Sequence, residues 1–331
     1  MDRGHREAEQ QLRKLKREIY KEYDSATREL EKKYSKYMED FASLDKEKRA
    51  LVEAGQMTQG EYETWRDSKI LRSKQMEGIV HDMAVEINGT NVAASKIVNN
   101  AIIDSYVSNY NYGAYEMCKG CNLMLNFDLV NREAVERLVK KNPKLLPTYN
   151  PKKKKDIAWN EKKVRQALTQ GIIQGDSVEH IQKRLQQVTK MDREAAVRAA
   201  RTMTTGAESA GRMDAYHEAE DMGLKVEKTW VAVMDDKTRD EHVELDGVSV
   251  PLDEPFENSL GKIQFPADPD AEDIANVYNC RCTLIAKVNG RSRDFSQRSN
   301  PALGNMSYDQ WKKEAHERAE EKKQKREEKS H

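Results

Sequence analysis

The sequence predicts a mainly α-helical protein with a long N-terminal helical hairpin, a helical middle, a small C-terminal α+β domain and a charged helical tail. Three observations predict it. Apolar residues recur at steps of three and four from Leu12 to Leu44, and neither Gly nor Pro occurs between Arg6 and Ala54. The helical period returns from Ile157 to Asp221. Two β-rich stretches, Lys225 to Val233 and Thr283 to Val288, then flank a loop rich in Pro, Asp and Glu.

Composition narrows the class further. Of 331 residues, 34% are charged and only 37% apolar, so much of the chain is not packed core. The 57 basic and 57 acidic residues cancel, which argues against a protein that coats DNA along its length. Balanced charge at this density is what exposed helices with intrahelical ion pairs carry. No apolar run approaches the ~20 residues of a membrane span. The start, Met1 to Glu7, has no apolar core behind it and does not read as a signal peptide. Four cysteines do not make a disulfide framework, and the expected compartment is a reducing cytosol.

Taken in order, residues 1–90 read as an amphipathic arm. Leu12, Leu15, Ile19, Tyr23, Ala26, Leu30, Tyr34, Tyr37, Phe41 and Leu44 form a narrow stripe on one helix of roughly 70 Å. Such a stripe must be covered by another helix of this chain, a second copy or a different protein. Its aromatic seam positions argue against an ideal two-stranded coiled coil. Gly55 ends the helix, and Thr58 and Glu61 have capping-box spacing for a second helix through Tyr62, Trp65, Ile70 and Leu71 toward Ile87. His81 has no partner ligand at helical spacing and reads as a structural or exposed histidine.

Residues 91–156 read as a third helix from Asn91, after a break at Asn88-Gly89-Thr90, then a Tyr/Asn loop from Ser108 to Tyr115 and a Pro/Lys linker. Loop packing is the expected role of those tyrosines, with base stacking the alternative. Cys118 and Cys121 form a C-x-x-C with no second pair nearby, so free thiols are expected rather than a metal or redox site. The lysines 152–155 suit a solvated surface or phosphate contact. Residues 157–224 read as helices, with Asp176 or Ser177 as a cap, a run of alanines from Ala195 to Ala219 that permits close helix approach, and Gly223 as the stop. Residues 225–290 form the small α+β core. Residues 291–331 form a linker and a charged tail, which starts at the Ser307/Gln310 capping box and is expected to fray unless a partner holds it.

The core carries the densest motif. Trp230 and Asp236 lead into Thr238, Arg239 and His242, followed by Leu245-Asp246-Gly247 and, after the acidic loop, Asn279-Cys280-Arg281-Cys282. This order, with the upstream run Arg201 to Thr205, resembles the phage Mu F-like family of head morphogenesis (minor capsid) proteins over about Ile157 to Val288. The resemblance implies a non-enzymatic procapsid component of a phage or prophage, present in few copies inside the head. It further implies association with the portal and ejection with the DNA. Portal, scaffold or capsid protein would be its partners, packaged DNA a weak one, and the virion and the host cytoplasm during assembly its locations. The family's domain also occurs fused to toxin effectors, and nothing of effector size follows Val288 here.

Three readings compete for His242, Cys280 and Cys282. Zinc takes thiolate and imidazole ligands but needs four. Many family members carry a C-x-x-C where this chain has Arg239 to His242, and a His where it has Val277, so three of those ligands remain at most. Asp236, Asp246, Cys118 or Cys121 would have to supply the fourth. A thiol nucleophile with its base is the second reading; the runner-up function is a metal-binding or nucleic-acid-processing protein centred on these residues, with a metal-dependent hydrolase as its enzymatic form. The third and favoured reading has no catalytic residue and no cofactor: Arg239 and Asp246 lock the Pro-rich loop, while Cys280, Cys282 and Trp230 pack as core.

Overall fold

The computed structural model describes residues 2–71, 74–127, 154–174, 178–291, 303 and 305–330. Helix α1 (Arg3–Glu53) runs unbroken, as the lack of Gly and Pro after Gly4 dictates. It stops at Gly55, whose φ of +71° lets the chain turn back, with the Gly55 and Gln56 amides donating to Val52 and Leu51. Helix α2 (Gln59–Leu71) opens with the expected capping box. The Thr58 amide donates to Glu61 Oε2 at 2.8 Å, and the Glu61 amide to Thr58 Oγ1 at 3.2 Å.

Helix α3 (Lys74–Cys121) overturns two expectations. Asn88-Gly89-Thr90 does not break it, and Ser108 to Tyr115 is helix rather than loop. Gly costs a helix only about 1 kcal/mol, and the turns before Gly89 bury Val80, Met83, Ala84 and Ile87. In the Tyr/Asn stretch, Asn109 Nδ2 donates to Ser105 O, and Tyr110, Tyr112 and Tyr115 are buried. Those rings are spent on packing, which removes the base-stacking alternative.

Helix α4 (Lys154–Ile173) and helix α5 (Val178–Asp221) follow. The prolines of the linker, Lys152, Lys153 and the Asp176/Ser177 cap lie outside the described residues. At Gly223, φ +95°, the chain leaves α5 for the strands. Strand β1 (Leu224–Val231) lies between β2 (Ser249–Pro251) and β5 (Thr283–Arg291), both antiparallel to it, while β3 (Phe256–Asn258) and β4 (Gly261–Ile263) make a separate hairpin. Between β1 and β2 sits the short helix α6 (Asp240–Val243).

The chain divides into two units. One comprises Lys16–Ile97 and Thr148–Val197. Its core joins Leu30, Tyr34 and Tyr37 of α1 to Met83 and Ile87 of α3, Val164 and Leu168 of α4, and Ile181 and Leu185 of α5. As far as Tyr37 the apolar stripe of α1 is therefore covered by helices of its own chain along this unit, while Phe41 is half-buried and Leu44 stays exposed. Tyr34 and Ile19 have no exposed surface. Of the three coverings the sequence left open, the intramolecular one is realised.

The other unit takes in Met1–Leu15, Val98–Pro147 and Arg198–His331. It holds the start of α1, the second half of α3, the second half of α5, the strands and helix α7 (Tyr308–Ser330). The tail is not loose at its base. The Ser307/Gln310 box starts α7, and Tyr308 and Trp311 are buried against Tyr115, with the Tyr112 ring also packed on Tyr308.

The small residues of α5 do what their size permits. At Gly211 a Cβ would stand 2.6 Å from the Tyr106 carbonyl oxygen and 3.0 Å from the Tyr110 amide nitrogen of α3. Replacing Gly211 by Ala should gain about 1 kcal/mol of helix propensity and lose more to overpacking against backbone, typically about 1–3 kcal/mol. Thermal unfolding should show a lower midpoint for Gly211→Ala; an equal or higher midpoint would contradict the close approach.

Candidate functional site

The motif residues of the small domain converge beside β1. Arg239 begins α6, which places His242 inward with its ring 5.1 Å from that of Trp230 in an edge-on contact. His242 Nε2 lies 2.9 Å from Asn276 Oδ1 and 3.1 Å from the Asn276 carbonyl. Both are acceptors, so Nε2 carries the proton and Nδ1 is left to accept. Nδ1 faces the sulfurs of Cys280 and Cys282, 3.5 Å from each. Cys280 is 2% and Cys282 1% exposed.

Burial pushes the Cys280 thiol up. The hydrogen bond from Cys280, with the Val233 amide beside it, brings the Cys282 thiol down.

The surrounding motif residues fasten this knot. Arg239 donates to the Tyr278 carbonyl at 2.6 Å, gripping the chain just beyond the acidic loop. Asp246 holds the exit of β1 instead of that loop, its Oδ1 accepting from the Ala232 amide at 2.8 Å. Leu245 is buried, and Gly247 (φ +76°) returns its amide to the Trp230 carbonyl. Arg281 pairs with Asp235, not with Asp236, which is exposed. Arg281 holds the Asp235 carboxyl well below the usual range and also donates to Thr238 Oγ1 at 3.1 Å, while Thr238 itself donates to Val233 O. Asn279 adopts φ +55°, and its amide donates to Thr202 Oγ1 at 2.9 Å. Thr205 Oγ1 donates to the Cys280 carbonyl at 3.0 Å. The Arg-Thr run of α5 is thus the clamp on the N-C-R-C segment.

Zinc was tested against this geometry. Three corners fit, since Zn–N and Zn–S bonds of about 2.1 and 2.3 Å at a tetrahedral angle put nitrogen and sulfur about 3.6 Å apart. The fourth corner does not. Among the described residues no further His, Cys, Asp or Glu joins His242, Cys280 and Cys282. Asp246 is engaged at β1, Asp236 is exposed, and Cys118 and Cys121 close the last turn of α3, buried and apart from this group. A closed four-ligand site is not built here.

A second polar centre had no signature in the sequence. Arg212 on α5 has no exposed surface. Its guanidinium meets both oxygens of Asp2 at 2.7 and 2.9 Å, the Leu284 carbonyl at 2.7 Å and Asn109 Oδ1 at 3.1 Å. Glu208 is shared between His5 Nδ1 at 3.0 Å and the Thr283 hydroxyl at 2.7 Å. Glu116 accepts from Tyr216 at 3.1 Å, and burial pushes its carboxyl from 4.5 up to about 7.

Comparison with known proteins adds identity to this geometry. The family model described as "Phage Mu protein F like protein" matches residues 162–285. Over that segment the chain is similar to the Mu F-like family. Minor head protein GP7 of Bacillus phage SPP1 is 26% identical over 309 residues, covering 90% of this chain and 96% of GP7. NAD(+)--arginine ADP-ribosyltransferase EFV of Enterococcus faecalis is 29% identical over 209 residues, 60% of this chain, and the match spans only 40% of EFV. YqbB of Bacillus subtilis is 32% identical over 132 residues, covering 39% of this chain and 42% of YqbB. No solved structure matches the chain.

The raised Glu116 carboxyl has a consequence with a defined sign. From pH 4.5 to 7 the unfolded chain releases this proton while the folded chain keeps it, so the group's contribution to stability falls as pH rises through that window. Glu116→Gln should remove the fall, stabilising the protein at pH 8 by up to about 3 kcal/mol and little at pH 4.5. Chemical denaturation at the two pH values reads this out; an equal effect at both would contradict it.

Proposed function

We propose that the protein is a phage minor head protein, a structural component of the procapsid rather than an enzyme. The co-linear match to a minor head protein over nine-tenths of both chains carries the reading. Portal, scaffold or capsid protein is its partner, packaged DNA at most a weak one, and it resides in the virion after assembling in the host cytoplasm. Association with the portal, and departure with the DNA at ejection, are the finer parts of the proposal. The balanced charge and the absence of a helix long and apolar enough to cross a membrane, among the described residues, agree with it.

The mechanism is adhesive, but the α1 stripe is not the adhesive. Its apolar residues as far as Tyr37 are already covered, so partner contacts fall to side chains left outside, such as Leu44, Trp159, Met191, Ile274 and Tyr278. The His242/Cys280/Cys282 group acts as a structural knot without metal. Its thiols are too deeply buried to reach a substrate, and each of its polar atoms has a partner inside the fold. The enzymatic name of EFV belongs to a protein of which this chain matches less than half.

Co-expression with the neighbouring portal and scaffold genes tests the proposal. The chain should co-purify with assembled heads at low copy number; heads formed with none of it would contradict the reading. For the knot, purified protein should contain no stoichiometric zinc, and a strong chelator should leave the unfolding midpoint unchanged. One zinc per chain, with a midpoint that drops on chelation, would overturn the metal-free structural role.

A further inference from the structure

In the unit built from Lys16–Ile97 and Thr148–Val197, α4 and α5 leave a groove of about 460 Å³ on their outer faces. Along α4 its wall runs from Trp159 through Lys162 and Lys163 to Gln170, positions that share one helical face. Along α5 it runs from Arg184 through Val188 to Met191, again at steps of three and four. The two helices are antiparallel, since Lys163 reaches Asp192 at 2.7 Å while Arg184 reaches Gln174 near the other end of α4. Trp159 and Met191 therefore stand at the same end, each 59% exposed. An aromatic ring left this open is the residue type that most often dominates binding energy at interfaces.

The groove's charge is one-sided. Lys162, Lys163 and Arg184 line it, and among the described residues no carboxylate does. Neighbouring acids are turned to other work: Glu161 meets His81 at 2.7 Å, and Asp192 meets Lys163. Eleven residues separate Trp159 from Gln170, a wall of about 16 Å, or three turns of helix. We propose that this groove docks an amphipathic helix of about three turns, from another head protein, whose apolar face is flanked by Asp and Glu. The proposal rests on the head-protein reading above and names the chemistry of its partner. Helix-in-groove binding of this type uses anchors at one-turn spacing. A single nucleic-acid strand fits less well, because Lys163 is already neutralised by Asp192 and an apolar floor offers phosphates nothing.

The test uses the full chain and two synthetic 15-residue helical peptides with identical Leu spacing, one flanked by Glu and the other by Lys. Trp230 and Trp311 are buried and Trp65, half-buried, stacks on Phe41 outside the groove, so a change in tryptophan emission that vanishes in Trp159→Phe reports the groove. The Glu peptide should bind at least tenfold more tightly than the Lys peptide, and Met191→Glu or Lys162→Glu should weaken it tenfold or more without shifting the unfolding midpoint. Equal affinity for both peptides, no binding, or tighter binding of oligo-dT would overturn the proposal. Head incorporation separates the two readings. If wild type and Met191→Glu enter heads equally, the groove is wrong and the head-protein reading stands. If wild type never enters, that reading fails, and the peptides alone decide the groove.

Discussion

A helix of 51 residues with an apolar stripe must have that stripe covered, and the structure depends on where the cover comes from. Along Lys16–Ile97 and Thr148–Val197 it comes from α3, α4 and α5 of the same chain, which bury Tyr34, Leu30 and Tyr37. The arm is a structural member of a core. Adhesion is then left to the few apolar side chains that the core does not use.

The other unit is closed by polar groups as much as by apolar ones. Arg212, with no exposed surface, must satisfy its donors inside the fold, and it does so with α1, α3 and β5 at once. Removing one partner of such a buried pair typically costs about 3–5 kcal/mol, because the other charge stays uncompensated. The same helix face supplies Thr202 and Thr205 to the segment that carries Cys280. Helix α5 thus ties the small sheet to the helices, and the His242/Cys280/Cys282 knot pins the sheet's loops beneath it.

Much of this was legible in the sequence. The unbroken α1, the capping boxes at Thr58 and Ser307, the stops at Gly55 and Gly223, and the two long strands all follow from local chemistry. The sequence joined His242 to the C-x-C thiols only in its metal and catalytic readings, since no local chemistry dictates a contact across 38 residues. The rest was hidden for physical reasons. Tertiary burial of Ile87 and its neighbours outweighed the local cost of Gly89, so α3 ran on. Tyr and Asn suggest a loop until a second helix offers them partners, as α5 does for Asn109. Asp235 and Asp236 are adjacent, and spacing alone could not tell which one Arg281 takes. Arg212 sits in an alanine-rich helix with no motif around it, and only the fold shows what it holds.

Hydrogen exchange on the free protein, read by mass spectrometry, tests the central claim most directly. If the chain covers its own stripe, amides between Ile19 and Tyr37 should be strongly protected before any partner is present, and equally protected after assembly into heads. Rapid exchange there in the free protein, slowed only within heads, would mean that a partner covers α1, and this account would be wrong.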